Sequence, residues 1–140
     1  MTAPVIVDTN VVVAGLLTVD AQAPTARILD GMLAAAFAYV VSSELLAEYR
    51  DVLSRPKLRK LHGLSADEIE TVLTELALHA IVLTAAPAPP APDSGDQHLW
   101  GLLAARNDLV LVTGDARLLE SNDWPQRVHS PRQWLEATHD

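Results

Sequence analysis

Apolar residues arrive along this chain in short bursts, each broken by a cap, a proline or a charge. Val5-Ile6-Val7 is an unbroken branched run, the pattern of a strand buried on both faces in a parallel sheet. A helix is predicted from Thr9 or Asn10 to about Leu17, with Asn10 as the candidate cap. Pro24 sits near the start of a second helix reaching about Ala36, with Ile28, Leu29, Met32 and Leu33 at helical spacing. Ala38 to Val41 reads as a second strand. Ser43 opens the next helix as its candidate cap, with Leu45, Leu46, Tyr49, Val52 and Leu53 making one face and Pro56 marking the end.

The alternation continues to the C-terminus. Ser65 followed by Glu68 is a capping-box pattern, ahead of a stripe formed by Ile69, Val72, Leu73, Leu76 and Ala77. Ile81-Val82-Leu83 is a third candidate strand, and the proline-rich residues 85–92 form an extended connector too short to separate two domains. A helix from about Asp96 to Ala105 leads to a strand, Leu109 to Val112, and a "TGD" loop. Arg127-Val128 is a short strand, and Ser130-Pro131 caps a last helix through Trp134 and Leu135. No repeat interrupts this order. Strands alternating with helices predict one α/β domain with a mainly parallel sheet.

Composition sharpens the picture in two places. The hydrophobic share is 49% but the aromatic share only 4%, so the core is expected to be largely aliphatic. The longest apolar candidate, Gly31 to Val41, is far short of the roughly 20 residues of a membrane span. There is no basic start leading into a signal region and no cysteine for disulfides or thiolate zinc, so a soluble, cytoplasmic protein is expected. The net charge of -8 argues against partners bound by phosphate neutralisation. Five of the ten basic residues nevertheless fall together: Arg50, Arg55, Lys57, Arg59 and Lys60. Such a run is either a solvated helix end or a patch that steers phosphate, with Arg50, Arg55 and Lys57 the candidates for substrate positioning.

The chemistry lies in the acids. In open parallel sheets, functional groups collect beyond the carboxyl ends of the strands. Asp8 directly follows the first strand, and Asp115 follows "LVLV" through Thr113-Gly114. Glu48 stands early in the helix after the second strand, and Asp96 starts the helix that leads into the Leu109 strand. Singly, each has an ordinary role as a cap, a turn residue or a surface charge. Together they predict four carboxylates on one rim, which repel unless a counter-charge sits among them. A divalent cation supplies it. An oxygen-rich site without cysteine suits Mg²⁺ or Mn²⁺ rather than zinc, and His62, His79, His98, His129 and His139 show no metal-binding pair at helical spacing. Acid-clustered cations of this kind serve phosphodiester hydrolysis.

These residues resemble a known family. "VDTNVVVAGLL", "SSELLAEYRDVLSRPKL" and "DSGDQHLWGLLAARNDLVLVTGDARLL", in this order across about residues 4 to 120, are similar to PIN domains. The nearer likeness is to the toxin branch of bacterial toxin–antitoxin systems, the VapC-like ribonucleases. The resemblance implies a three-layer α/β/α domain and Mg²⁺- or Mn²⁺-dependent cleavage of single-stranded RNA. It implies Asp8, Glu48, Asp96 and Asp115 as the acidic metal site, with Asn10 and Thr113 orienting ligands, water or substrate. It also implies a cognate antitoxin and a homodimer.

One departure is that related sequences often carry two adjacent acids where this chain has Asp96-Gln97. Asp96 is preferred because an amide is a poor ligand for a divalent metal, and Asp93 in the preceding loop is a further candidate. A non-catalytic PIN-like module that binds RNA or protein is the main rival. A phosphatase with an aspartyl nucleophile would want a second Asp where Asn10 stands, and a phosphorylated receiver domain would want a later lysine, yet none follows Lys60.

Overall fold

In the computed structural model, residues 3–138 are described; His139 lies outside them. The first strand, β1 (Val5–Val7), has every side chain essentially inaccessible to water, as its unbroken apolar run requires. Helix α1 (Thr9–Leu17) follows at once. Its cap is Asp8 rather than Asn10: Asp8 is extended and its side chain accepts from the Thr9 N–H, which leaves Asn10 inside the first turn.

Helix α2 (Pro24–Leu33) begins on its proline and stops short of Ala36. Ala35 takes a left-handed conformation (φ 54°), and the Ala36 N–H turns back to the Gly31 carbonyl. The turn brings the Phe37 ring over Gly31, where a Cβ would stand 2.5 Å from the ring edge. Phe37 then meets Trp134 edge-on, ring centres 4.8 Å apart. Packing therefore ends a helix that side-chain spacing alone would have continued.

Strand β2 (Tyr39–Val41) leads into helix α3 (Ser43–Leu53), capped by Ser42, whose hydroxyl accepts from Leu45 N–H at 3.1 Å. Ser43 is thus the first helical residue and not the cap. The helix stops at Leu53, just ahead of Pro56 as expected, and Pro56 itself opens a further helix, α4 (Pro56–His62), closed by Gly63 at φ 71°. Helix α5 (Ala66–His79) carries the expected capping box, with Ser65 and Glu68 bonded reciprocally at 3.1 and 3.0 Å. Strand β3 (Ile81–Val82) precedes the proline-rich connector, a single 3-10 turn (Ser94–Asp96) and helix α6 (Gln97–Ala105). Strand β4 (Val110–Val112), helix α7 (Ala116–Leu119), strand β5 (Val128–His129) and helix α8 (Pro131–Thr138) complete the order.

The five strands form one sheet in the order β3-β2-β1-β4-β5, every pair parallel. The chain runs outward from β1 through β2 to β3, then crosses back to the other side of β1 for β4 and β5. Right-handed crossovers send the helices of the outward run to one face and α6 to the other, giving a three-layer α/β/α fold. The reversal falls between β1 and β4, held in register by Val5 opposite Val110 and Val7 opposite Val112. A crevice opens beyond the carboxyl ends of two such strands, because their following helices diverge to opposite faces.

The core is aliphatic, and its few aromatics do specific work. Tyr49 on α3 is fully buried and its hydroxyl donates to the Val7 carbonyl, while Tyr39 donates to Leu76 on α5 at 2.6 Å. These bonds join α3 to the end of β1 and α5 to β2. The former fixes the helix that carries Glu48 relative to the strand that carries Asp8.

Candidate active site: an acidic cleft at the sheet reversal

Asp8 is 4% exposed. Its backbone N–H continues the ladder by donating to the Val112 carbonyl at 2.9 Å, so the carboxylate is carried to the mouth of the crevice. One carboxylate oxygen accepts from Thr9 N–H at 2.7 Å; the other accepts from the Thr113 hydroxyl at 2.8 Å and the Asn10 amide at 3.2 Å. Asn10 also accepts from the Gly114 N–H at 3.0 Å, clasping the "TGD" loop to the first turn of α1. Thr113 in turn accepts from the Asp115 N–H at 3.0 Å. Asn10 and Thr113 therefore brace the two loops that carry Asp8 and Asp115.

Glu48 enters from α3, just before the anchored Tyr49. One of its oxygens takes the Thr9 hydroxyl; the other lies 3.1 Å from Nε2 of His98 on α6. Asp96 stands at the N-cap position of α6, but its side chain makes no capping bond. Asp115 does act as a cap, accepting from Arg117 N–H at 2.9 Å, and its second oxygen is 3.6 Å from the Arg117 guanidinium.

Asp8, Glu48, Asp96 and Asp115 line one cleft of about 420 Å³, with Thr9 and Asn10 beside them and, among the described residues, no basic side chain in its lining. A hollow of about 590 Å³ beside Pro24, Arg27 and Arg132 is larger, but every charged group lining it is exposed. The unusual electrostatics belong to the acidic cleft. Burial lifts the Asp8 carboxyl from the ordinary 3.8 to about 6, against the pull of its Thr113 hydrogen bond, with Asp96 and Glu48 adding repulsion. Asp96 is raised by burial and then by Asp115, Asp93 and Glu48.

The other predicted residues lie elsewhere. Gln97 faces the connector, accepting from Ala91 N–H at 2.8 Å and donating to the Pro89 carbonyl at 3.1 Å. Asp93 is not in the cleft lining; it accepts from Gly95 N–H at 2.8 Å and pairs with Arg117 at 3.3 Å. Arg50, Arg55 and Lys57 do not line the cleft either. Arg50 is held by Glu70 at 2.9 Å and Arg55 by Asp51 at 3.0 Å, on the surface. Three participants escaped the sequence reading: Thr9, the binding role of His98, and Arg117. Thr9 sits inside the "DTN" triplet, where the adjacent Asp8 is the stronger signal. His98 has no local sequence signal, since Glu48 is 50 residues away; Arg117 stands two residues after Asp115, and its second partner, Asp93, is remote.

Residues 4–117 match the PIN domain family over well above half the chain. The chain belongs to the PIN domain family. PIN domains are in general nucleases, typically using divalent metal ions. No curated protein matches the sequence. The donor set of this PIN domain fits a hard cation: the charged lining groups are all carboxylates, sharing one cleft, and two of them are raised by burial and then by the charge of neighbouring acids. The set is open as it stands. Among the described residues no three His, Asp or Glu side chains are grouped to enclose an ion; Thr9 and His98 hold Glu48, and Arg117 lies beside Asp115.

Proposed function

We propose that the cleft is the active site of a Mg²⁺- or Mn²⁺-dependent endoribonuclease that cleaves single-stranded RNA. The observation that carries this reading is the convergence of Asp8, Glu48, Asp96 and Asp115, from four separate elements, on one cleft at the sheet reversal. Asp8, Glu48, Asp96 and Asp115 would hold the cation. Such a cation would supply the Lewis-acid chemistry that phosphodiester hydrolysis needs. The protein's own contribution is placement. Thr113 and Thr9 fix the Asp8 carboxylate, Tyr49 and His98 fix Glu48, and Asn10 holds the Asp115 loop against α1.

The same reading makes the protein the toxin of a toxin–antitoxin pair, acting in the cytoplasm as a homodimer. Four carboxylates without a basic neighbour in the lining suit an antitoxin that inserts a basic side chain to silence them. A second reading is a PIN-like module that binds RNA or protein without cutting; the hydrogen bonds already occupying Glu48 favour it. Cleavage of an RNA panel in Mg²⁺, Mn²⁺ or EDTA, beside Asp8→Asn, separates the two. The nuclease reading requires metal-dependent cutting that the variant lacks while staying folded. Equal cutting by the variant exposes a contaminant, and no cutting of any RNA favours the binding module.

Among the described residues no helix is long and apolar enough to cross a membrane.

A further inference from the structure

The cleft is divided along its length. On α1 the lining residues are Thr9, Asn10, Val13, Ala14 and Leu17, one stripe at helical spacing whose first turn is polar and whose remainder is aliphatic. Helix α3 repeats the division: Glu48 is followed one turn later by Val52, also in the lining. Val13, Ala14, Leu17 and Val52 are all partly exposed. They form an apolar trough continuous with the carboxylates, and none of these side chains offers a hydrogen-bond donor or acceptor. Thr9 to Leu17 spans about 12 Å of helix axis, so the trough has length for a base beside a phosphate held at Asp8.

We infer that this aliphatic trough is a subsite for an unpaired nucleobase next to the scissile phosphate, read by its apolar face and not by its edges. The inference rests on the ribonuclease reading above. A duplex hides its base faces in the stack, so only an unpaired base can enter. Among the described residues no basic side chain lines the cleft, Arg117 standing outside the lining beside Asp115, and the chain carries a net charge of -8, so backbone neutralisation by the lining supplies little affinity. Burial of a base against Val13, Leu17 and Val52 supplies it instead. With no polar group to test base edges, the subsite tolerates base identity and rejects base absence.

The test uses wild-type protein and a fluorescent single-stranded oligoribonucleotide in Mg²⁺, intact or with an abasic ribose moved along it. Binding is read by anisotropy and cutting by gel. The abasic position nearest the scissile bond should raise Kd and KM about five- to tenfold, while exchange of one base for another there changes little. Leu17→Asp, checked for folding by circular dichroism, should produce a similar loss on intact RNA and none on the abasic strand. RNA that binds with this dependence but is not cut upholds the subsite while overturning the nuclease reading. RNA that is cut with no response to the abasic scan or to Leu17→Asp overturns the subsite and leaves the nuclease standing. RNA that neither binds nor is cut overturns both. Unchanged RNA kinetics with loss of a copurifying protein in Leu17→Asp assigns the trough to a protein and overturns it as well.

Discussion

Two charged regions of this molecule behave in opposite ways. Asp8, Glu48, Asp96 and Asp115 are scattered through the sequence, yet line one cleft. Arg50, Arg55, Lys57, Arg59 and Lys60 are almost adjacent, yet do not converge on one site: Arg50 is tied to Glu70 on α5, Arg55 to Asp51 one turn back, and Arg59 and Lys60 lie around a separate surface hollow with Pro56 and Glu68. The acids are driven together by strand topology, at the cost of desolvating Asp8. The bases are distributed around helices and remain in water, where ion pairs contribute little. Proximity along the chain is thus a poor guide to concerted chemistry. Convergence on a buried edge is a better one.

The largest effect should come from the cleft. Asp8→Asn and Asp96→Asn are each expected to lower RNA cleavage roughly a hundredfold or more, with circular dichroism unchanged. If both retain wild-type rates, the acids are structural and the contrast between the regions disappears. Next is the hold on Glu48. Loss of the His98 bond in His98→Ala should weaken Mn²⁺ binding about tenfold in a calorimetric titration, since partners that orient ligands typically act on that scale. An unchanged affinity would show that Thr9 alone suffices.

A smaller effect has the opposite sign. Asp8 has a folded value of about 6 against an ordinary 3.8, so its ionisation opposes folding. The penalty is absent below about pH 4, grows through the interval and is complete above about pH 6. Without metal at neutral pH, Asp8→Asn should therefore be more stable than wild type by about 1–2 kcal/mol, the hydrogen-bond rearrangement offsetting part of the gain. Urea unfolding at pH 7.5 and pH 4 measures it, and the advantage should vanish at the lower pH. A variant less stable at both would mean that the bonds from Thr113 and Asn10 outweigh burial. The smallest effect belongs to the basic run: Arg50→Ala and Arg55→Ala should leave both the unfolding midpoint and RNA cleavage at wild-type levels. A marked loss of cleavage would restore the run to the substrate path and erase the comparison.

Much of the fold could be read from local rules because local physics decides it. The run Val5-Ile6-Val7 is a buried strand wherever it sits, and the Ser65–Glu68 box closes within one turn of helix. The positions of Asp8 and Asp115 at strand ends followed from the same patterns. Other elements depend on remote partners. Pro56 reads as a stop, but proline equally starts a helix, and α4 begins on it. Four-residue α7 is too short for periodicity to reveal. The stop of α2 before Ala36 requires Phe37 to find Gly31 and Trp134.

The sequence by itself determined the α/β alternation, the family, and which carboxylates stand at the ends of strands and helices. Those depend on residue type, periodicity and distance along the chain. Only the tertiary structure decided that Asp96 rather than Gln97 faces the cleft, that Thr9 and His98 hold Glu48, and that the basic run turns away. Side-chain direction is set by packing across the fold, and a carboxylate's protonation by the water removed from around it. Neither quantity exists until the strands are paired.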